Sequence, residues 1–522
     1  MGGDGYSMVG WGIWHWLERR ADLVPGKAAM IDGQAATTYG ALRDRVASAA
    51  GAMRAHGVTR GDRVAILSIN RAEFIEALLA AAWLGAMVVP LNWRLTAPEL
   101  AFQVGDSEPV MLFVDPELRS LAEGLRAQPE SRSLRTYVAF DSEAAAPPWA
   151  GSYAALLKHT AAQPDGRFDD PFLIMYTSGT TGRPKGAVLT QATQLWNAVN
   201  IGTALSLTAS DVSLNALPMF HTGGIGLLVL PSLHAGATAV LQRKFEADET
   251  VRLIARHGVT AMFGVPSIYL MLLASEAFRQ ADLAGVRFSC GGAPCPLTII
   301  EAFRDRGVLF QQGYGLTETA PTCLLIPAAD AFRKAGSAGK ATMHADVRVV
   351  DNDGRDVPAD GIGEVWTRGP NLFSGYWRRP DATAEAFQDG WFRTGDLARI
   401  DAEGFIYIVD RKKDMIISGG ENIYPAEVED VLYRHPAVVE AAVIGVPHAR
   451  WGEVPHAVVV ATPGLSLSAG EVIAFCEGSL ARYKIPKSVA FTDALPRNAA
   501  GKVLKRLLRE QFASQVKSAG TA

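Results

Sequence analysis

Apolar residues in the first ninety positions recur with the spacings of helices and strands in alternation. Within residues 38–56 they return every three or four positions, which predicts an amphipathic helix that Gly57 ends. Residues 63–67 form a short apolar run that predicts a buried strand, and residues 71–83 predict a second helix. Helices that alternate with apolar strands are typical of a parallel α/β layer.

The alternation returns in the middle of the chain and then changes twice. Apolar runs predict further strands at residues 213–217, 239–241, 261–263 and 286–289. From Val347 onward, turn sequences at residues 353–354 and 401–404 predict β-hairpins and a small barrel-like subdomain. After Arg411 the pattern predicts helices over residues 425–434 and 469–482, strands near residues 441–444, 457–460 and 488–491, and a last helix from Lys502.

These patterns predict an α/β fold with two domains of unequal size. Residues 1–410 would form a large N-terminal domain of layered α/β subdomains with the β-barrel-like subdomain at its end. Residues 414–522 would form a small α+β C-terminal domain. The charged stretch 411–413 between them lies where a hinge would be needed.

Composition and charge narrow the class of protein. The 522 residues, 48% of them hydrophobic, are enough for two or three domains with a large core. A net charge of −4 without long runs of one sign argues against nucleic acid and membrane surfaces as partners. The four cysteines have neither zinc nor disulfide spacing. We expect a cytoplasmic protein, since there is no signal peptide and the apolar segment 77–91 is too short to span a bilayer.

A loop of small and hydroxylated residues carries the strongest chemical signal. Apolar runs at residues 172–175 and 187–189 predict strands on either side of it. Between them stand Thr177, Ser178, Gly179, Thr180, Thr181, Gly182 and Lys185. Backbone N–H groups, hydroxyls and one ammonium together can cradle a polyphosphate. The loop is not the nucleotide loop of kinases and P-loop ATPases, because Pro184 stands five residues after Gly179 where that motif requires glycine.

Five further stretches carry reactive side chains, and all but the charged stretch 410–414 combine them with glycine: residues 290–294, 312–319, 390–396, 410–414 and 496–502. The bend at residues 291–294 would let a flat ring lie against backbone, and Tyr314 offers an aromatic face. Glu318 is a hard oxygen ligand for Mg²⁺, and Asp396 could accept both hydroxyls of a ribose. Lys502 stands in a second Gly-Lys loop. Taken singly, each stretch also has a structural interpretation as a turn, a solvated linker or a surface lysine.

Together, and in this order, the motifs closely resemble those of the adenylate-forming superfamily, which contains acyl-CoA synthetases, luciferases and peptide-synthetase adenylation domains. The resemblance runs from about Trp14 to about Phe512. It implies an acid–thiol ligase that uses ATP, Mg²⁺ and coenzyme A. A carboxylate attacks the α-phosphate of Mg-ATP, pyrophosphate leaves, and a thiol then displaces AMP from the acyl-adenylate.

The resemblance assigns a role to each candidate residue. The loop from Thr177 to Lys185 would hold the departing phosphates. A rotation of the C-terminal domain about Lys413 would remove Lys502 from the site and admit the thiol. One departure is Gln191, where many relatives have histidine after the strand. The other assignments are Thr317, Glu318, Lys502 and His221 as catalytic residues, with Glu318 as metal ligand; Gly291, Gly292, Ala293, Pro294, Tyr314, Asp396 and Arg411 at adenine and ribose; and Ser418, Gly419, Gly420, Trp451 and Tyr483 as candidate CoA contacts.

The acid is less well defined than the chemistry. The resemblance places His221, Thr222, Gly223, Gly224, Phe263, Val265 and Ala320 around the acyl pocket. The absence of Lys and Arg from this set argues against a dicarboxylate. Gly223, Gly224 and Gly264 would leave room for a long chain or a ring. A medium- or long-chain fatty acid is placed slightly ahead of an aromatic acid of the coumarate, ferulate or benzoate type.

Three alternatives to a CoA ligase stay open. A fatty acyl-AMP ligase would pass the acyl group to a carrier protein in trans. A luciferase-like oxygenase is disfavoured, because residues 520–522 differ from the peroxisomal tripeptide that luciferases commonly carry. A non-catalytic nucleotide-binding protein would have no need for both Lys185 and Lys502. The expected partners are a small carboxylic acid, ATP and CoA, and a homodimer is an open possibility for the assembly.

Overall fold

The computed structural model describes residues 11–177, 184–419, 421–448, 450–477, 479–497 and 503–519, with side chains described as far as Phe512. The helices are α1 (Ile13–Leu23), α2 (Tyr39–Ala55), α3 (Ala72–Leu84), α4 (Ala97–Ser107), α5 (Arg119–Arg126), α6 (Tyr153–Leu156), α7 (Gln191–Ala204), α8 (Thr222–Gly226), α9 (Val229–Ala235), α10 (Ala247–His257), α11 (Pro266–Ala274), α12 (Glu276–Gln280), α13 (Leu297–Asp305), α14 (Pro380–Ala386), α15 (Pro425–Tyr433), α16 (Ala469–Glu477) and α17 (Lys505–Ala519). Among these helices, none is both long and apolar enough to cross a lipid bilayer.

The strands form four sheets. They are β1 (Ala28–Asp32), β2 (Ala35–Thr38), β3 (Arg63–Leu67), β4 (Met87–Leu91), β5 (Met111–Val114), β6 (Thr136–Ala139), β7 (Gly151–Ser152), β8 (Pro171–Thr177), β9 (Lys185–Thr190), β10 (Val212–Asn215), β11 (Thr238–Leu241), β12 (Ala261–Gly264), β13 (Arg287–Cys290), β14 (Phe310–Tyr314), β15 (Leu324–Leu325), β16 (Lys340–Ala341), β17 (Asp346–Val350), β18 (Ile362–Arg368), β19 (Gly375–Tyr376), β20 (Phe387–Gln388), β21 (Trp391–Ile400), β22 (Ile406–Arg411), β23 (Ile416–Ser418), β24 (Glu421–Ile423), β25 (Val438–His448), β26 (Gly452–Ala461) and β27 (Ser488–Phe491).

The first sheet has the strand order β19-β9-β8-β4-β3-β5-β6-β7, and its strands from β8 to β7 are parallel. Strand β9 pairs antiparallel with β8, which makes the candidate phosphate loop the turn of a hairpin. The predicted helix over residues 38–56 is confirmed as α2, and the Thr38 hydroxyl caps its start by accepting from the backbone of Ala41 at 3.2 Å. The predicted strand 63–67 is β3, and the predicted helix after it is α3.

The second sheet has the order β16-β15-β14-β13-β12-β10-β11-β1-β2. Strands β12, β13 and β14 are parallel neighbours, so their carboxyl ends at Gly264, Cys290 and Tyr314 lie along one edge. In open α/β sheets this edge is where ligands bind. Three of the four strands predicted here are found within one residue at each end, and the run at 213–217 is the shorter β10.

One apolar cluster joins the two sheets. It contains Ile13 of α1, Phe74 of α3, Leu173 of β8, Val229 of α9 and Leu241 of β11, all at most 3% exposed. These positions come from the periodic apolar faces of the helices and from the strands, and their common burial is the largest favourable contribution to folding. The cluster therefore fixes the position of the phosphate hairpin relative to the edge of the second sheet.

The third and fourth sheets follow the predicted change of pattern. The third is antiparallel, with the order β17-β18-β21-β20 and with β22 also on β21. The fourth has the order β24-β23-β26-β25, with β27 parallel to β26. Two predicted helices are wrong in extent: α16 ends at Glu477, and α17 begins at Lys505. Beyond the end of α16, the Cys476 carbonyl accepts from the backbones of Ser479 at 3.1 Å and Leu480 at 3.0 Å.

Asn70 links the first two sheets through three hydrogen bonds. Its side-chain nitrogen donates to the carbonyls of Leu217 at 2.9 Å and Gln242 at 3.0 Å, and its oxygen accepts from the backbone of Met219 at 2.9 Å. Because Asn70 is only 2% exposed, water does not replace these bonds in the folded protein.

We predict that Asn70→Ala lowers the free energy of unfolding by about 2–4 kcal/mol, because it leaves buried backbone groups without partners. Urea denaturation followed by circular dichroism measures the loss. Gln280→Ala, which removes an exposed amide on α12, is the control and should change stability by less than about 0.5 kcal/mol. Equal stability of the two variants would contradict the role assigned to Asn70.

Candidate active site

The carboxyl edge of the second sheet carries the candidate adenine slot. Residues 291–294 follow β13, and the Gly291 backbone donates to the Gly264 carbonyl at 3.3 Å. A Cβ at Gly291 would lie 3.0 Å from the Gly313 carbonyl oxygen and 3.0 Å from the Phe263 ring, so a side chain here would require its neighbours to shift. Gly292 has φ +81° and Pro294 is exposed, whereas Ala293 is half-buried. The predicted bend with open backbone is therefore present.

Tyr314, Asp396 and Arg411 come together from three strands. The Tyr314 hydroxyl donates to Asp396 Oδ2 at 2.7 Å, and Arg411 Nε lies 3.6 Å from Asp396 Oδ1. Asp396 and Arg411 are directly opposed on β21 and β22. Burial, reinforced by the Asp396 charge, raises the pKa of Tyr314 well above its ordinary value, so its hydroxyl stays a donor. The three residues thus form one polar group that can meet a sugar at the edge of the sheet.

Glu318 lies in a single 3₁₀ turn, Thr317–Thr319, just beyond β14. Its carboxylate is 8% exposed and accepts a hydrogen bond from the Tyr376 hydroxyl at 2.8 Å. Burial raises the pKa of Glu318, while Tyr376 and Arg411 act in the opposite direction. Thr317, at the start of the turn, is half-buried.

The donor set around Glu318 fits Mg²⁺. Within the described residues there is no group of three or more acidic, histidine or cysteine side chains that would enclose a metal ion. Mg²⁺ in nucleotide sites takes one or two carboxylates and completes its shell with phosphate oxygens and water. A single buried carboxylate such as Glu318, with one oxygen already fixed by a hydroxyl, matches that arrangement.

The two ends of the phosphate loop are described. Thr177 closes β8 and Lys185 opens β9, and the two residues are opposed in the hairpin. The Lys185 ammonium lies 5.2 Å from the centre of the Tyr376 ring. Ser178, Gly179, Thr180, Thr181 and Gly182 lie outside the described residues, so their predicted role stays a prediction.

The Gln191 side chain is hydrogen-bonded to α1 and α3. Its amide nitrogen donates to the Ala82 carbonyl at 2.9 Å, and its oxygen accepts from the Ile13 backbone at 2.7 Å. The side chain is 1% exposed. The residue that departs from the pattern of many relatives therefore connects α7 to α1 and α3 and has a structural role.

The predicted acyl-pocket residues divide into two groups. His221, Gly223 and Val265 are half-buried, and the His221 ring lies 4.6 Å from the ring of Phe220. The remaining four are buried: Thr222 (6% exposed), Gly224, Phe263 (5%) and Ala320 (0%).

Two glycines that were expected to leave room for the acyl group face the protein's own atoms. A Cβ at Gly224 would lie 2.1 Å from the Pro218 carbonyl oxygen, and one at Gly264 would lie 3.0 Å from the Tyr269 ring. The backbone contact leaves no room for a Cβ at Gly224, whereas a Cβ at Gly264 would require the Tyr269 ring to shift by a few tenths of an ångström. On the side where a Cβ would stand, both glycines thus face the protein's own atoms.

The stretch from Arg411 to Asp414 connects the third sheet to the C-terminal domain. Lys413 is exposed, while the Lys412 backbone donates to the Gly395 carbonyl at 2.9 Å. The Asp414 carboxylate pairs with Arg509 of α17 at 2.8 Å. Asp410, which precedes this stretch on β22, also accepts from the Ala426 backbone of α15 at 3.0 Å, so contacts to the C-terminal domain begin before Lys413. A hinge at Lys413 stays a prediction. Lys502 lies outside the described residues.

The candidate CoA residues are partly brought together. The Gly419 backbone donates to the Trp451 carbonyl at 2.7 Å, and a Cβ on Gly419 would lie 2.7 Å from the Trp451 ring. Ser418 beside them is 8% exposed, whereas Trp451 is 43% exposed. Tyr483 is 39% exposed and lies beside the Lys484 ammonium. Gly420 is outside the described residues.

Sequence reasoning missed the segment 371–377. Its Tyr376 contacts Glu318, and its Asn371 amide donates to the carbonyls of Thr319 and Thr322, both at 2.9 Å. The available signal was the aromatic pair at residues 376–377 directly after Gly375. Such a pair predicts packing and carries no direct sign of chemistry.

Two family models match the chain. One, described as AMP-binding enzyme, matches residues 17–377, and the other, described as AMP-binding enzyme C-terminal domain, matches residues 427–502. The chain belongs to the AMP-binding enzymes. It is 44% identical to a feruloyl-CoA synthase of an Amycolatopsis species over 502 residues, which are 96% of this chain and 99% of the relative. It is also 44% identical to an indoleacetate–CoA ligase of Aromatoleum aromaticum (95% and 98%).

A third relative has a different kind of acid in its name. It is a long-chain-fatty-acid–CoA ligase of Mycobacterium tuberculosis, 39% identical, with 97% of this chain and 99% of the relative covered. Among solved structures, an o-succinylbenzoate coenzyme A synthetase from Bacillus subtilis in complex with ATP and magnesium has a TM-score of 0.84 at 35% identity, with 95% and 99% covered. This member of the AMP-binding enzymes is thus an AMP-forming CoA ligase, as the motifs predicted.

We predict that Glu318→Gln stabilises the fold increasingly as pH rises. A carboxyl whose pKa is raised in the folded state binds more protons there than in the unfolded chain, so the wild type loses stability as pH increases from the ordinary value of 4.5 through the raised pKa. The amide keeps an oxygen that can accept from Tyr376 and does not titrate. Urea unfolding of both proteins between about pH 5 and pH 8 measures the difference in free energy.

The exposed Glu477→Gln serves as control and should show no such trend. A stability difference between wild type and Glu318→Gln that is the same at every pH would contradict the assigned burial of the charge.

Proposed function

We propose that this CoA ligase uses the described residues to adenylate a carboxylic acid that has a compact aromatic end. Tyr314, Asp396 and Arg411 bind adenosine, Glu318 holds Mg²⁺, and Thr177 and Lys185 bind the phosphates. The observation that carries the proposal is the junction at Glu318, where one carboxylate lies between the ribose group and the phosphate hairpin. It is the position at which a nucleotide would bring its α-phosphate.

In the first half-reaction, the acid's carboxylate attacks the α-phosphorus and the bond to pyrophosphate breaks. Mg²⁺ supplies charge neutralisation on the phosphate oxygens. Lys185 stays with the leaving pyrophosphate, and Lys502 offers its charge to the carboxylate and the bridging oxygen. Positioning and electrostatic stabilisation of this kind provide most of the catalysis in phosphoryl transfer, and the loss of one such contact typically costs about 10²–10³ in rate.

Two observations support a ring ahead of a long chain. The Cβ directions of Gly224 and Gly264 are occupied by the protein's own atoms, and Phe263 and Val265 offer apolar surface next to the adenine bend. The relatives named for feruloyl and indoleacetate are more similar to this chain than the one named for long-chain fatty acids. These two observations reverse the small preference for a fatty acid that the sequence alone suggested.

One cation near the acyl pocket was not foreseen. The Arg94 guanidinium lies 4.9 Å from the Trp93 ring and 5.8 Å from the Phe220 ring, and Phe220 packs on His221. An arginine at this place could meet a polar group at the far end of an acid. A second carboxylate on the substrate, which the sequence argued against, therefore needs a direct test.

In the second half-reaction, CoA displaces AMP after the C-terminal domain has turned about Lys413. The exposed Trp451, with Arg450 4.6 Å above its ring, offers a stacking surface for the CoA adenine. Ser418, Gly419 and Gly420 would line the path of the pantetheine thiol.

A homodimer and a cytoplasmic location stay predictions, and light scattering after size-exclusion chromatography tests the first of them.

The deciding experiment measures pyrophosphate release with a panel of acids, with and without CoA. We expect the highest kcat/KM for ferulic, indoleacetic or benzoic acid, and lower values for medium- and long-chain fatty acids and for 2-succinylbenzoic acid. A fatty acid at the top of the series would contradict the aromatic assignment. No turnover of any acid would overturn the enzyme assignment, and adenylate that accumulates without a CoA product would favour a carrier protein as acceptor.

We predict that Lys502→Ala loses acyl-adenylate formation by about 10²–10³ in rate but keeps thioester formation from supplied acyl-AMP. The reason is that Lys502 acts on the carboxylate only before the domain turns. Stopped-flow measurement of each half-reaction separates the two rates. Lys487→Ala, an exposed lysine of the same domain, is the control, and an equal loss in both half-reactions of Lys502→Ala would contradict the two-conformation scheme.

A further inference from the structure

The segment 371–377 connects the two halves of the proposed nucleotide site. At one end, the Phe373 backbone donates to the Glu318 carbonyl at 2.8 Å. At the other end, the Trp377 backbone donates to the Gly186 carbonyl at 2.7 Å, one residue after the phosphate loop. Its short strand β19 pairs with β9. The backbone of this segment is thus fixed against both the Glu318 turn and the phosphate hairpin.

The side chain of Tyr376 spans the same two elements. Its hydroxyl donates to Glu318 Oε1 at 2.8 Å, and its ring lies 5.2 Å from the Lys185 ammonium. The ring also packs edge-on against the Phe373 ring, with 4.9 Å between the ring centres. The Tyr376 backbone N–H donates to Thr383 Oγ1 at 2.9 Å, which holds the backbone in place. A half-buried ring held in this way has little freedom to leave either partner.

Building on the function proposed above, we propose that Tyr376 is a positioning residue for adenylation. Its hydroxyl fixes Glu318 Oε1 and so would orient the carboxylate that would hold Mg²⁺, and its ring lies beside the Lys185 ammonium that would bind the phosphates. A second partner that orients a ligating carboxylate typically contributes about 10- to 100-fold in metal affinity. Through one side chain, the geometry of the metal ligand is coupled to that of the phosphate-binding lysine.

The test is Tyr376→Phe, which removes the hydroxyl and keeps the ring beside Lys185. Binding of Mn²⁺ is titrated by electron paramagnetic resonance on the full-length protein in the presence of α,β-methylene-ATP, which cannot be cleaved between the α- and β-phosphates. We expect the dissociation constant of Mn²⁺ to rise about 10- to 100-fold. Affinity for the analogue measured in EDTA should change less than twofold, and thioester formation from supplied acyl-AMP should keep its wild-type rate, because neither needs the metal.

Tyr153→Phe is the matched control. The Tyr153 hydroxyl donates to another buried carboxylate, Glu76, at 3.0 Å, within the apolar cluster that joins the two sheets. This variant should lose stability and keep the wild-type affinity for Mn²⁺. The proposal is overturned if Tyr376→Phe binds Mn²⁺ within twofold of the wild type, or if Tyr153→Phe weakens Mn²⁺ binding as much.

A second variant, Tyr376→Leu, removes the ring as well and tests the contact with Lys185. Its affinity for inorganic pyrophosphate, measured as product inhibition, should be two- to fivefold lower than that of Tyr376→Phe. This factor is about the contribution of one exposed cation–π contact. An unchanged inhibition constant would overturn this half of the proposal. Wild-type protein that does not bind the analogue at all would instead count against the proposed function, so the two failures are distinguishable.

Discussion

A carboxylate that is buried in an enzyme has to keep its charge without losing its partners, and this constraint decides the arrangement of the whole site. Glu318 and Asp396 are each less than 9% exposed. A buried charge is costly unless it is hydrogen-bonded or paired. Each of the two accepts from a tyrosine hydroxyl, and Arg411 is shared electrostatically between them. Strands from three sheets have to meet for these contacts to form.

The helices and strands around the site follow from local pattern, and much of the fold was therefore predictable. Strand β3 and helix α2 have the predicted bounds within about one residue, because strong apolar periodicity and a Thr38 cap act within a few positions. The order of the motifs identified the family. What the sequence could not provide is contact between distant residues: Tyr376 meets Glu318 across 58 positions, and no periodicity reports such a pair.

The glycines of the proposed acyl pocket also show that sequence alone does not report contacts between distant residues. A glycine in a motif indicates that a side chain is not tolerated, but it does not say what occupies the space. At Gly264 the occupant is the Tyr269 ring, and at Gly224 it is the Pro218 carbonyl. These contacts show what the glycines face on the side of a Cβ, and their role in the acyl pocket stays a prediction. Gln191, where the sequence departs from many relatives, is buried between α1 and α3 and hydrogen-bonded to both, and its motif gave no sign of these partners.

A Cβ on Gly291 would lie 3.0 Å from the Phe263 ring, so this ring would form a wall shared by the proposed acyl pocket and adenine slot. Protein interiors are close-packed, so a wall of this kind moves as a unit when either side is overfilled. An acid too large for its pocket would push Phe263 toward the glycine bend and narrow the slot for the nucleotide. Selectivity for the acid would then act partly through ATP affinity. A poorly fitting acid would weaken the binding of ATP in the neighbouring slot.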